Sequence, residues 1–225
     1  MSSTTTDKEI VRNYFNSVGF DRWRRIYGDG EVNRVQRDIR DGHQQTIDMV
    51  IGWLKTDKAL DQLTVCDAGC GVGSLSLPLA ALGAQVVASD ISDQMVGEAK
   101  NRSIDPNNPK FSVSDLEGLS GEFDTVICLD VLIHYPIAEA EPMIEHLASL
   151  ATSRLIVSFA PKNPYYSLLK RIGEFFPGPS KATRAYLHPE SEIRKILTNL
   201  GFKVARNHFT ATQFYFSRLL EAKRV

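Results

Sequence analysis

Apolar residues recur over residues 31–54 at spacings of three, four and their sums: Val32, Val35, Ile39, Ile47, Val50, Ile51 and Leu54. That is the periodicity of an amphipathic helix, with Gly42 read as an interruption of it. Residues 8–18 read as a shorter helix, and residues 19–30 as a glycine-flanked turn joining the two. From residue 62 the pattern changes. Apolar runs at 63–66, 86–89, 111–113, 125–129 and 155–159 alternate with helical stretches near 74–82, 92–101 and 138–150. Near-continuous apolar strands joined by helices predict a parallel sheet covered on both faces. Right-handed crossovers then place a ligand at the carboxyl ends of the strands, at the switch point beside the first.

The end of the chain differs. His188-Pro189-Glu190 opens a helix to about Leu200, Gly201 ends it, and Phe202-Lys203-Val204 begins a strand. Residues 210–216 read as the next strand after a short connection. A parallel return needs a dozen or more residues, so these two strands form an antiparallel hairpin. The expected fold is α/β: a mostly parallel seven-stranded sheet ending in that hairpin. Residues 1–58 are expected to form a helical arm or cap, and residues 59–225 the sheet domain.

The first strand flows into Asp67-Ala68-Gly69-Cys70-Gly71-Val72-Gly73-Ser74. Glycines at every second position admit positive φ and let the backbone approach a ligand. The helix after them presents free N–H groups to it. A dinucleotide fingerprint wants a glycine where Ser74 stands, and Asp67 is an awkward neighbour for a pyrophosphate. Asp67 suits a cation such as the ammonium of a methionine moiety. Asp90, 19 residues after Gly71, ends the second strand, where a carboxylate accepts from ribose hydroxyls. Asp115 ends the third, placed for an adenine amino group. Acids after strands also cap helices, but three of them around one glycine-rich turn point to S-adenosylmethionine.

Charge and composition narrow the partners. A formal net charge of −1 argues against a general nucleic-acid binder. Cys66, Cys70 and Cys128 form no CxxC pair, so reduced residues of a cytoplasmic chain are expected, with no disulfide and no metal site owned by the protein. The polar start, residues 1–9, lacks the apolar region of a secretory signal, and no window resembles a spanning helix. Contact with a membrane would therefore be peripheral.

The loop and its acids resemble the class I methyltransferases, a Rossmann-like fold whose sheet also ends in an antiparallel hairpin; the resemblance covers residues 60–216. A closer resemblance rests on four stretches. They are Tyr14-Phe15-Asn16-Ser17-Val18-Gly19-Phe20-Asp21-Arg22-Trp23 with Ile26-Tyr27-Gly28, Val35-Gln36-Arg37-Asp38-Ile39-Arg40-Asp41-Gly42-His43, Cys128-Leu129-Asp130-Val131-Leu132-Ile133-His134-Tyr135-Pro136, and Gln213-Phe214-Tyr215-Phe216-Ser217-Arg218-Leu219-Leu220-Glu221. Together these are similar to the magnesium-protoporphyrin IX O-methyltransferases of chlorophyll synthesis. The resemblance implies methyl transfer from S-adenosylmethionine to a propionate of magnesium protoporphyrin IX, with magnesium arriving only inside the substrate. It also suggests a monomer that contacts the large subunit of magnesium chelatase and the surface of photosynthetic membranes.

The residues expected at the donor are Tyr14, Asp67, Gly69, Cys70, Gly71, Gly73, Ser74, Asp90 with Ile91, Asp115 with Leu116, and Asp130. Those expected at the porphyrin are Trp23, Tyr27, His134 and Tyr165. Tyr27 and His134 are the catalytic candidates: either can orient a carboxylate, and His134 alternatively ligates the porphyrin magnesium. Phe15 and Phe20 are read as pins holding the arm to the core. Residues 8–40 are expected to order as a cover when the donor binds, and residues 162–188, rich in aromatics and cations, to form a lid. The alternative enzyme is a methyltransferase acting on a quinone or another small O or N acceptor; a non-catalytic S-adenosylmethionine sensor is the alternative from outside enzymology.

Overall fold

The computed structural model of the chain describes residues 6–28, 30–57, 59–162 and 185–225. Tyr165 and nearly all of the expected lid lie outside them. One sheet runs in the order β3-β2-β1-β4-β5-β7-β6, from β1 (Thr64–Ala68), β2 (Gln85–Asp90), β3 (Lys110–Val113), β4 (Phe123–Cys128), β5 (Ala151–Phe159), β6 (Phe202–Ala211) and β7 (Phe216–Arg224). Pairings from β3 through β5 are parallel, and β7 runs antiparallel between β5 and β6. The strand order reverses between β1 and β4, which opens a crevice at their carboxyl ends.

Alternation along the strands feeds two cores. Val126, Cys128, Leu155 and Val157 face α6 (Ile137–Leu150) and α7 (Glu190–Asn199). Val65, Ile127 and Ile156 face α3 (Arg34–Asp57) and α4 (Ser76–Ala81). From α3, Ile47, Val50 and Leu54 are fully buried in that second core, each contributing on the order of 1.5–3 kcal/mol. The carboxyl half of α3 is therefore sheet packing, while Ile39 and His43, earlier on the helix, face the crevice.

Three local expectations are corrected. First, the stretch read as a turn after Val18 is mostly helix: α1 spans Asp7–Phe15 and α2 spans Val18–Ile26. Gly19 is there because a Cβ would sit 2.6 Å from the Tyr14 ring; in the first turn of a helix its lost propensity costs little. Second, Gly42 does not interrupt α3. A Cβ on it would lie 2.5 Å from Tyr215, so the glycine admits a ring against the helix. Third, the hairpin turn falls at residues 212–215, inside the segment read as a strand, and β7 follows it. No glycine or proline marks this turn. Asp38 of α3 makes it, accepting from Thr212 Oγ1 at 2.6 Å, Phe214 N at 2.7 Å and Gln213 N at 3.3 Å.

Candidate active site

The crevice is a cavity of about 390 Å³, mostly apolar, walled by the glycine turn, the strand ends, the arm helices and the 212–217 segment. Its donor side is built of backbone. Gly69, Gly71 and Gly73 all have positive φ (84°, 53° and 83°), which makes the chain double back after β1. Gly69 N and Cys70 N both donate to Ser89 O at 2.8 Å, tying the turn to β2. A Cβ on Gly69 would come within 2.1 Å of Val131 Cγ2, whereas one on Gly71 would meet nothing within 4 Å. Gly69 is thus required by protein packing, and Gly71 leaves open space on the cavity wall.

Asp90 accepts from Gly71 N and Ser92 N, both at 2.9 Å; burial pushes its pKa up despite those bonds. The cap of α5 (Asp93–Arg102) is Ser92, not Asp90. Each Asp90 oxygen retains a lone pair for a ribose hydroxyl. Asp115 does cap, accepting from Gly118 N at 2.9 Å, and it also lines the cavity. Burial works to raise its pKa, but Lys8 of α1, 3.1 Å away, holds it below the usual range. Lys8 reaches Glu117 as well, at 2.8 Å, so the arm is fastened across the donor end.

Gly69, Cys70, Gly71, Ser74, Asp90, Ile91, Asp115, Leu116, Trp23, Tyr27, Asp130 and His134, all anticipated, are brought onto the cavity wall. Asp67, Gly73 and Tyr14 are not among the lining residues. Asp67 is buried behind the turn, where it accepts from Ser76 Oγ. Burial raises its pKa to about 6, with Ser76 opposing and Asp90 adding to the rise. Tyr14 is buried too, its hydroxyl accepting from Trp23 Nε1 at 3.2 Å. Phe15 packs against the core as expected and also lines the cavity. Phe20 lies away from the cavity, under Arg24.

The other side of the cavity is a chain of rings. His134 meets Phe15 edge-on at 5.4 Å, Phe15 meets Trp23 at 6.4 Å, and Trp23 stacks on Tyr27 at 5.3 Å. Tyr27 lies over His43 at 4.4 Å, and His43 meets Tyr215 edge-on at 6.4 Å. Two arginines hold this wall by its backbone. Arg40 donates to Ile26 O at 2.6 Å and Arg25 O at 2.8 Å, and Arg102 to Tyr27 O at 2.8 Å. They satisfy the free carbonyls ending α2 and complement its dipole.

His134 Nδ1 is buried and has no hydrogen-bond partner among the described residues. Burial lowers the His134 pKa to about 4, Asp130 opposing, so the ring is neutral at pH 7. Burial pushes the Tyr27 hydroxyl well up and Asp130 adds to it, so it stays protonated and able to donate. Burial also raises the Cys70 thiol well above its ordinary value, leaving it no nucleophile.

Asp130 lines the cavity, and protein groups engage its carboxylate. It has φ 56°, a left-handed conformation that few non-glycine residues adopt. Both carboxylate oxygens are engaged: His43 Nδ1 at 2.8 Å, Tyr215 Oη at 2.9 Å, Ser158 Oγ at 3.0 Å and Ser217 Oγ at 3.3 Å. Burial works to raise its pKa, and the His43 bond and the hydroxyls outweigh that and hold it low. His43 and Tyr215 were not anticipated as site residues. Both stand in the stretches that carry the family resemblance, which was the signal available. The residues fit S-adenosylmethionine: an open glycine backbone, acids for ribose and adenine, and Ser74 where a pyrophosphate loop wants a glycine.

Comparison with known proteins bears on the same residues. The family model described as magnesium-protoporphyrin IX methyltransferase C-terminus matches residues 128–224, and a methyltransferase-domain model matches residues 65–153. Magnesium-protoporphyrin O-methyltransferase of Synechocystis is 63% identical, over 97% of this chain and 96% of its own length. The chloroplastic magnesium protoporphyrin IX methyltransferase of Arabidopsis thaliana is 60% identical, over 96% of this chain and 71% of its own. A crystal structure of the Synechocystis methyltransferase with bound SAH superposes with a TM-score of 0.90 at 61% identity, covering 97% of this chain and 100% of that one. The same enzyme with bound SAM gives 0.88 at 56% identity, with both chains fully covered. A class I methyltransferase sheet, a glycine turn ringed by acids and near-complete alignment with these enzymes lead to one assignment: the chain belongs to the magnesium-protoporphyrin IX methyltransferase family.

Proposed function

We propose that this chain methylates one propionate carboxylate of magnesium protoporphyrin IX, using S-adenosylmethionine and releasing S-adenosylhomocysteine. The observation that carries the reading is the unbroken line of rings from His134 to Tyr215 facing the glycine turn across one apolar cavity. A flat macrocycle with carboxylates at one edge needs such a wall; a quinone needs less of it. When bound, S-adenosylmethionine supplies an electrophilic methyl on a sulfonium.

A propionate has a pKa of about 4.3, so it reaches the site as the nucleophile and requires no base. What the protein contributes is alignment to roughly 3–3.5 Å and exclusion of water. Tyr27 Oη, protonated, donates to one propionate oxygen. His134, neutral, satisfies its orphaned Nδ1 on the same group; a buried donor left unpaired costs about 1–3 kcal/mol. The turn at Gly69 to Ser74 holds the methionine portion, Asp90 the ribose, and Asp115 with Leu116 the adenine. Asp67 acts on the ammonium from behind the turn, and Gly73 and Tyr14 shape the walls. Trp23 faces the macrocycle. The arm over residues 8–40 serves as the cover.

The chain works as a monomer, takes its insoluble substrate from the large subunit of magnesium chelatase, and meets photosynthetic membranes at the surface. Among the described residues no helix is long and apolar enough to cross a membrane. Incubation with methyl-labelled S-adenosylmethionine and magnesium protoporphyrin IX, followed by product mass, tests the proposal. A single added methyl, lost on mild ester hydrolysis, is expected; label on a quinone acceptor instead would replace this reading.

A further inference from the structure

We infer that His43, held by Asp130, is the axial ligand the protein offers to the magnesium at the centre of its porphyrin substrate. The inference rests on the porphyrin reading above and assigns a residue to a contact within it. It starts from the proton on one imidazole. A carboxylate oxygen accepts, so the 2.8 Å hydrogen bond to Asp130 Oδ2 is donated by His43 Nδ1, and Nε2 is the nitrogen left to offer a lone pair. Among the described residues Nε2 makes no hydrogen bond, and His43 lines the cavity.

A carboxylate accepting from one imidazole nitrogen while the other meets a metal is the arrangement that fixes tautomer, aims the lone pair and raises ligand basicity. The support behind it is more than one bond. Asp130 is held in its left-handed conformation by Tyr215, Ser158 and Ser217, and its own N–H donates to Ser158 Oγ at 2.8 Å. Backbone strain of this sort persists where the surroundings over-determine it, characteristically at functional sites. Tyr27 over one face and Tyr215 at the edge fix the plane of the His43 ring.

The substrate supplies the complementary vacancy. Four pyrrole nitrogens occupy the equatorial positions of its magnesium, leaving an axial position for a fifth ligand. His134 lacks the same preparation: among the described residues no carboxylate holds it, and its unpartnered Nδ1 suits a propionate oxygen. The two histidines thereby divide the work, one aimed at the edge of the disc and one at its centre. Phe15, Trp23 and Tyr27 link them in the line of rings. Asp130 is a positioning residue that acts through His43.

Absorption titrations test this with the intact chain, using magnesium protoporphyrin IX and metal-free protoporphyrin IX as probes. Wild type is expected to bind the magnesium form at least tenfold more tightly, with a Soret shift. His43→Ala should weaken the magnesium form far more than the metal-free form, bring the two affinities within about twofold of each other, and lose the shift; added imidazole should restore it. Asp130→Asn should lower the magnesium preference several-fold in the same direction, and serves if His43→Ala fails to fold, as judged by S-adenosylmethionine binding. Equal weakening of both porphyrins in His43→Ala would overturn the inference and make His43 a propionate contact or a packing residue. A wild type that transfers methyl to magnesium protoporphyrin without preferring it over the metal-free form would overturn the inference alone. A wild type that neither binds nor methylates either porphyrin would overturn the function as well.

Discussion

The two walls of the cavity are made in opposite ways. The wall proposed for the donor is one continuous stretch, β1 through the glycine turn to α4, with an acid from each of the next two strand ends. Its contacts are mainly backbone, and its groups lie within 50 residues of each other, from Asp67 to Leu116. The acceptor wall is a mosaic. Trp23 and Tyr27 come from the arm, His43 from α3, Asp130 and His134 from the segment after β4, and Tyr215 from the hairpin turn. A backbone wall is intolerant of any side chain and indifferent to which acceptor arrives. A mosaic of side chains tolerates substitution one position at a time, and each substitution changes what the wall recognises.

That contrast sets the order of expected effects. Gly69→Ala is the most damaging: a left-handed backbone costs about 1–3 kcal/mol for a non-glycine residue, and the new methyl would also displace Val131. A melting-temperature drop of several degrees and a more than tenfold loss of S-adenosylmethionine affinity by calorimetry are expected. Wild-type affinity would break the account of a wall made of bare backbone.

On the acceptor wall, Tyr27→Phe and His134→Ala should each lower turnover about tenfold or more, the scale of one lost positioning contact, with S-adenosylmethionine affinity unchanged. With porphyrin and S-adenosylmethionine both saturating, so that the bound ammonium holds Asp67 ionised, single-turnover methyl transfer should also stay flat between pH 6 and 8. The nucleophile and His134 both titrate well below that window. An inflection near pH 6.5 would bring back a base.

Asp67 tests the support behind the donor wall. Its pKa of about 6 stands above the ~3.9 of an unfolded chain. Between those values the folded state keeps a proton that the unfolded state has released, so this group's contribution to stability falls as pH rises from 4 to 6. Above pH 6 its ionised, buried form costs the fold on the order of 2–3 kcal/mol. Asp67→Asn should therefore melt at a higher temperature than wild type at pH 8, and the difference should vanish near pH 4. A constant difference across that range would mean packing, not charge, explains it.

The smallest effect belongs to Lys8→Ala. Its pairs with Asp115 and Glu117 are about 30% exposed on the lysine side, and such pairs contribute about 0–1 kcal/mol. Faster amide exchange in α1 with turnover changed less than about twofold is expected. A large drop in turnover would make this pair part of the working cover.

The same asymmetry governs what could be read from the chain. Strand and helix periodicity, the glycine turn and the acids at the ends of β2 and β3 are local signals. Periods of two and 3.6 and a positive-φ requirement act within a few residues, so the parallel sheet and the positive-φ glycine turn were legible in the residues themselves. The hairpin was legible as a connection too short to return parallel, although its turn was misplaced because Asp38, 174 residues before Thr212, makes it. Gly19 and Gly42 looked like breaks for the same reason: the rings that require them, Tyr14 and Tyr215, are brought there by packing.

Only tertiary structure brought His43 and Tyr215 onto the Asp130 carboxylate, because a carboxylate chooses among partners by distance and not by sequence. Only it ran six rings from separate elements into one wall. Local backbone chemistry determined the donor half of this protein, and the convergence of distant side chains in a low-dielectric cavity determined the acceptor half.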